Sequence, residues 1–202
     1  MQNSSKEFLS GIVEKCWKGE EIASEEIEAF KKTIEDHEAK KTWVELLNKK
    51  RSCGAFQIAE TNFNKVGELM NIVLSCIEEQ EDLRLARQCI IYSQTFHNKD
   101  QEYLQGLVET HPLWQHVSVW EELVMLSIAQ ELEAYMQYSF SPEFDTPQDL
   151  SCKIRSIVVS QLMNYAHIME SFCLPKDKVS EMLKKIADDF RVTEEVESLF
   201  QE

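Results

Sequence analysis

Apolar residues recur at three- and four-residue spacings along nearly the whole chain, the period of helices that bury one face. In the first segment Phe8, Ile12, Val13, Cys16 and Trp17 share a face. Ser4 or Ser5 is placed to cap it and Gly19 to end it. A second helix is predicted from Ser24, with Glu25 and Glu26 in the first turn, where the helix dipole favours acids, and Ile27, Phe30 and Ile34 facing inward. A third carries Trp43, Leu46 and Leu47, with Gly54 just beyond it. Thr61 or Asn62 opens the most regular stretch, in which Phe63, Val66, Leu69, Met70, Val73, Leu74 and Ile77 make a face so broad that a central helix is implied.

The pattern continues from Asp82 to His97 through Leu83, Ala86, Cys89, Ile90, Ser93 and Phe96, then breaks at the turn Asn98-Lys99-Asp100. A short helix with Tyr103, Leu104 and Leu107 follows. Pro112 is read as starting a long helix through Trp114, Val117, Trp120, Leu123, Val124, Ser127, Ile128, Glu131 and Tyr135, because the first helical turn needs no amide donor there. A loop is predicted from Phe140 to Gln148. Thr146-Pro147-Gln148-Asp149 then gives a capping-box-like start to a helix through Ile154, Ile157, Val158, Leu162, Tyr165, Ile168, Met169 and Phe172. After Leu174-Pro175 come Val179, Met182, Leu183, Ile186 and Phe190, and Thr193 caps a last helix ending in Val196, Leu199 and Phe200. These add up to about nine or ten helices in irregular antiparallel pairs, an all-α fold expected to form one domain over residues 1–202.

Composition agrees, since only 5 Gly and 4 Pro occur in 202 residues, too few for the closely spaced turns of a sandwich, barrel or doubly wound sheet. Charge narrows the partners. With 36 Asp+Glu against 21 Lys+Arg the net charge is -15, which disfavours nucleic acid and acidic membrane surfaces. No apolar run approaches the ~20 residues that span a bilayer, and the first fifteen residues hold no hydrophobic signal region. A soluble cytoplasmic protein is expected. Cys16, Cys53, Cys76, Cys89, Cys152 and Cys173 form no C-x-x-C pair and are read as buried reduced thiols, Cys53 being the best candidate for exposure.

His111-Pro112-Leu113-Trp114, followed by Trp120, Ile128 and Glu131, resembles the helical module of the set-binding-factor family. That module lies beyond the DENN domains of myotubularin-related pseudophosphatases and occurs in some shorter cytoplasmic relatives. Gln161-Leu162, Met169, Phe172, Leu174, Met182-Leu183-Lys184-Lys185 and Thr193-Glu194-Glu195 are similar to it in kind, as upstream are Asn48, Arg51, Phe63, Cys76 and Ala86-Arg87. The resemblance thus runs over about residues 43–200, with 1–42 as N-terminal helices expected to pack on that part. Leu126, Leu132 and Ile168 stand where polar residues are usual, and Pro175 where glycine is usual. The tail of the DENN-domain Rab exchange factor that carries a MAP-kinase-activating death domain is more distantly similar. The resemblance implies adaptors of membrane traffic around Rab GTPases, recruited peripherally to vesicles. Exchange chemistry there belongs to DENN domains, which this chain lacks.

Candidate chemistry is sparse. His37, His97, His111, His116 and His167 lie in neither H-E-x-x-H nor Glu-x-x-His spacing, so no metal is expected and the histidines read as caps or surface groups. No nucleophile loop surrounds a cysteine, no glycine-rich phosphate cradle occurs, and neither enzymatic activity nor a cofactor is expected. Trp17, Trp43, Trp114 and Trp120 read as core. The acidic stretch from Glu20 to Glu38 reads as a solvated helix face. Lys49-Lys50-Arg51, with Lys40-Lys41 before it, is a basic island in an acidic chain: it either complements the negative end of a helix dipole or contacts an acidic surface of a protein partner. The expected function is a non-enzymatic protein-interaction adaptor in Rab-linked traffic. A direct exchange or GTPase-activating regulator of a small GTPase and a MIF4G-like translation scaffold are the alternatives.

Overall fold

A computed structural model describes residues 2–80, 82–139 and 146–199. Among them are nine α-helices, short 3-10 turns and no strand, so the all-α expectation holds. Contacts cluster into two compact units, Met1–Leu113 and Trp114–Glu202, a division that the helical period does not announce.

In the first unit, α1 (Gln2–Lys18), α2 (Ser24–Ile34) and α3 (His37–Ser52) precede α4 (Phe63–Gln80), α5 (Leu83–Ser93) and the single turn α6 (Gln105–Val108). α4 is the central helix expected from its pattern. Val66, Leu69, Met70, Val73 and Leu74 are wholly buried, and α1, α2, α5 and α6 all pack against it. The approach of α6 depends on Gly67, where an added Cβ would lie 2.7 Å from the Leu107 side chain. α1 begins at Gln2, so Ser4 and Ser5 lie inside the helix rather than capping it. Its C-terminus is capped from afar: Gly19 takes a φ of 74°, and the buried Asn62 donates to the carbonyls of Lys15 (2.9 Å) and Glu20 (2.8 Å).

α5 stops at Ser93, four residues before the predicted end. The backbone of the next residues bonds elsewhere: Ile58 donates to the His97 carbonyl, His97 to that of Phe56, and Leu104 to that of Phe96. Long-range partners thus outbid another helical turn. Leu85, not Leu83, is the buried leucine at the start of α5, and Tyr92 is buried with its hydroxyl donating to the Val44 carbonyl at 2.9 Å. Asn98 forms the expected turn, its Oδ1 accepting from the amides of Asp100 and Glu102. Tyr103, expected on a short helix, instead pairs with His97 ahead of α6 and is 46% exposed.

The second unit contains α7 (Val117–Tyr138), α8 (Pro147–Ser171) and α9 (Lys176–Asp189), each packed against the other two. Pro112 opens a 3-10 turn, Pro112–Gln115, and not the long helix; extended His116 separates that turn from α7. The turn places Trp114 in the core, where Trp114, Trp120 and Phe172 form a triangle of rings with centroids 5.4–5.5 Å apart. The Trp120 indole also donates to the Trp114 carbonyl at 2.8 Å. Ser127 and Tyr165 bond across α7 and α8 at 2.7 Å, so these two buried hydroxyls satisfy each other, whereas the buried Trp114 indole N–H finds no acceptor. α8 starts as predicted, with Thr146 accepting from the Asp149 amide and Asp149 from that of Thr146. Most of the predicted Phe140–Gln148 loop, residues 140–145, lies outside the described residues, as does Phe200; the last element is a 3-10 turn, Glu194–Leu199.

The cysteine expectation needs correction. Cys16, Cys76 and Cys89 are buried, whereas Cys53, Cys152 and Cys173 are exposed free thiols. Two of the exposed three sit at helix ends: Cys53 caps α3 and Cys173 follows α8 with a φ of 57°. Burial raises the Cys16 and Cys89 thiols to about 12, which leaves them unreactive.

Replacing Trp120, fully buried in the aromatic triangle, by alanine is expected to lower stability by ~3–5 kcal/mol. A denaturant midpoint equal to wild type would show that the triangle contributes nothing to folding.

Candidate functional site

Two helix C-termini meet at one end of the first unit. α1 brings Lys15 and Lys18 in its last turn, and α3 brings Lys49, Lys50 and Arg51, so both negative dipole ends are complemented by cations. The pairing of Glu14 with Lys50 at 2.7 Å ties the two ends together. Trp17 adds a second link, its indole donating to the Ala55 carbonyl at 2.8 Å beyond the end of α3. The Lys50 ammonium lies 5.5 Å from the centroid of the same indole, a cation–π arrangement.

The three residues of the island therefore do different work. Lys50 is committed to the fold, its side chain only 19% exposed. Lys49 and Arg51 are exposed, with Arg51 donating to the Asn48 side chain at 3.2–3.3 Å. Lys40 is completely buried in α3 and is no part of a surface island. Lys18, which the linear sequence does not connect with the island, joins it through the fold. The Lys50 hydrogen bond, reinforced by the charges of Lys50, Lys18 and Lys49, holds the Glu14 carboxyl below its ordinary range against a smaller effect of burial. The surface cations are thus Lys18, Lys49 and Arg51. Beside them lies the loop after α3, in which Gly54 has a φ of 73° and Phe56 is 42% exposed.

Close by, Lys15 pairs with Glu26 at 2.7 Å, and Glu26 also accepts from the Ala23 amide at 3.0 Å, capping α2. The lysine first and the amide second lower the Glu26 carboxyl as well. Two ends of helices and one beginning are joined here by charge. An array of this kind can receive carboxylates, through the planar fork of Arg51 and the point charges of the lysines.

The other candidates resolve into structural roles. Trp43, Trp114 and Trp120 are fully buried; Trp17, half-buried, is instead part of the basic end. His111 is held between α4 and the following turn, its Nδ1 accepting from the Leu113 amide at 3.2 Å and its Nε2 3.0 Å from the Ser75 hydroxyl. Among the described residues no three His, Cys, Asp or Glu side chains are grouped to hold a metal ion. Two open clefts of about 660 and 680 Å³ also lie in this unit. Phe63, Tyr103 and Leu107 line one; Lys31, Glu35, Glu68 and Asn71 flank the other.

The geometry is that of an all-α fold with a cluster of exposed cations on an acidic molecule. The comparison with family models is specific: the model described as SBF2, Myotubularin protein, matches residues 20–184. The chain belongs to this family of myotubularin-related, set-binding-factor proteins, a membership that suggests a non-catalytic, adaptor-type module. The match starts at residue 20, upstream of the residue 43 from which the resemblance was read, so it includes α2 and crosses from one unit into the other. It does not extend to the more distant likeness with the Rab exchange factor. No curated protein and no solved structure gives a significant match. Among the described residues no helix is long and apolar enough to cross a membrane.

Charge reversal separates the two kinds of cation. Lys50→Glu places a carboxylate against Glu14 and removes the cation from Trp17, and should cost about 1–2 kcal/mol. Lys49→Glu should cost less than about 1 kcal/mol. Equal denaturation midpoints for the two variants would refute the division.

Acid should act through Glu14 and Glu26. Their folded carboxyls titrate below the ordinary value of 4.5. The stability they add is therefore complete above about pH 5.5 and is lost as the pH falls through 4.5 and below. The Glu14→Gln/Glu26→Gln variant should melt below wild type at neutral pH and converge with it in acid. Parallel melting curves from neutral pH to about pH 3 would contradict this assignment.

Proposed function

We propose that the chain is a non-enzymatic adaptor module of Rab-linked membrane traffic, acting in the cytoplasm and brought to vesicles through a protein partner. The observation that carries this reading is the family match over residues 20–184. Because the match crosses from the first unit into the second, we take residues 1–202 to act as one module. Lys49 and Arg51, with Lys18, are its docking cations for an acidic protein surface, and Lys50 holds the platform that presents them. Exposed charges of this kind act mainly on the rate of association and its salt dependence.

The test compares wild type with Lys49→Glu/Arg51→Glu, a pair that spares the Glu14 contact. Proximity labelling in cells should enrich Rab GTPases or their regulators around the wild type and less around the variant. Purified chain should leave nucleotide release and GTP hydrolysis of a Rab panel at their intrinsic rates. Acceleration of either reaction would replace the adaptor reading with that of a direct regulator. Labelling dominated by translation initiation factors would replace it with a translation scaffold. Equal association rates of both proteins with an identified partner at low salt would remove the basic residues from the interface.

A further inference from the structure

α7 is apolar on more than one side. Its buried face, made by Trp120, Leu123, Val124, Ser127 and Ile128, belongs to the core of the second unit. A separate line, Met125, Ala129, Leu132 and Met136, follows the spacing 4, 3, 4 of a continuous helical stripe and is turned away from that face. The stripe is accessible: Met125 is 41% and Met136 47% exposed, Ala129 is exposed and Leu132 half-buried. It runs for about 16 Å along the helix axis, long enough for several turns of a second helix.

Charge specifies the occupant. All 22 residues of α7 include Glu121, Glu122, Glu131 and Glu133 and not one Lys or Arg. Glu121 is engaged with Lys185 of α9 at 2.6 Å. Glu122 and Glu133, both exposed, fall on one edge of the stripe three turns apart. Lys153 lies over the Tyr135 ring, off the stripe. A second copy of this chain would bring the same carboxylates against Glu122 and Glu133, which is repulsive. A helix with leucine-like anchors and lysines or arginines beside them meets both features. Methionine, unbranched and polarizable, suits such a surface because it repacks around differently shaped anchors.

We propose that the Met125–Ala129–Leu132–Met136 stripe of α7 is a docking site for a basic amphipathic helix of a partner protein, with Glu122 and Glu133 as the charge contacts. This surface is independent of the cations of the first unit and of the Rab assignment. A module with both surfaces joins an acidic partner to a basic one.

The probe is a fluorescent Leu/Lys amphipathic peptide of about 18 residues, above the length at which isolated helices become marginal. Its twin has Glu for every Lys. Anisotropy titrations use the full chain as wild type, Met125→Ser/Met136→Ser, which keeps the charge, and Glu122→Gln/Glu133→Gln, which keeps the stripe. Wild type is expected to bind the Lys peptide and not the Glu peptide. The methionine pair should weaken binding about tenfold or more, and the glutamate pair should weaken it and flatten its salt dependence. Lys-peptide binding unchanged by the methionine pair would mean attraction of a polycation by an acidic protein, and would overturn the site. So would equal binding of both peptides. A concentration-dependent dimer that the methionine pair abolishes would assign the stripe to a second copy instead. Lys-peptide binding unchanged in the glutamate variant, which alters only exposed groups, would likewise overturn the site even if the methionine pair lowers stability.

Discussion

Burial of α4 on several sides is the constraint from which the first unit follows. A helix with so wide an apolar face cannot be satisfied by one neighbour, and α1, α2, α5 and α6 are arranged around it. Closing the last gap requires Gly67, since any side chain there would collide with Leu107. Once α4 is enclosed, the chain between helices has little freedom. Phe56, Ile58, Phe96, His97 and Leu104 exchange backbone hydrogen bonds, and this exchange decides where α5 ends.

The same enclosure creates the basic end. α1 and α3 pack together so that their C-termini lie side by side, and two partial negative charges must then be neutralised in one place. Lys15, Lys18, Lys49, Lys50 and Arg51 do so, with Glu14 and Glu26 as internal counter-ions. Stability and the proposed recognition therefore draw on one set of residues. Those held by Glu14, Trp17 or Glu26 serve the fold, and those left exposed are available to a partner.

The second unit solves a smaller version of the packing problem with aromatics. Trp114, Trp120 and Phe172 fill the space among three helices, and the Trp120 indole finds its acceptor at the Trp114 carbonyl. The core ends at Ile128: from Ala129 to Tyr138 no residue of α7 is buried. An apolar helix that continues past its own core places Met136 at the surface, in line with the exposed Met125, and carboxylates flank them.

Much of this could be read in the chain itself. The helical class, the central place of α4, the buried faces of α2, α8 and α9, and the Thr146 cap all follow from local spacing and residue chemistry, which act over a few residues. Lys49, Lys50 and Arg51 were also visible as a basic run, but their roles were not. Whether a cation is spent on the fold or left at the surface depends on what packs against it. Lys40 is buried by its place on α3, Lys50 is taken by Glu14, 36 residues away, and Lys18 joins the cluster from another helix. The early stop of α5 was likewise settled by tertiary contacts, because hydrogen-bond partners distant in sequence compete with the next helical turn and leave no local periodic signal, and the exposure of Cys152 and Cys173, unlike that of Cys53, gave no sign in the sequence. The sequence by itself determined which helices form and which faces they must bury; only the tertiary structure decided where they stop and which charged or apolar residues remain for a partner, since both depend on contacts between residues far apart in the chain.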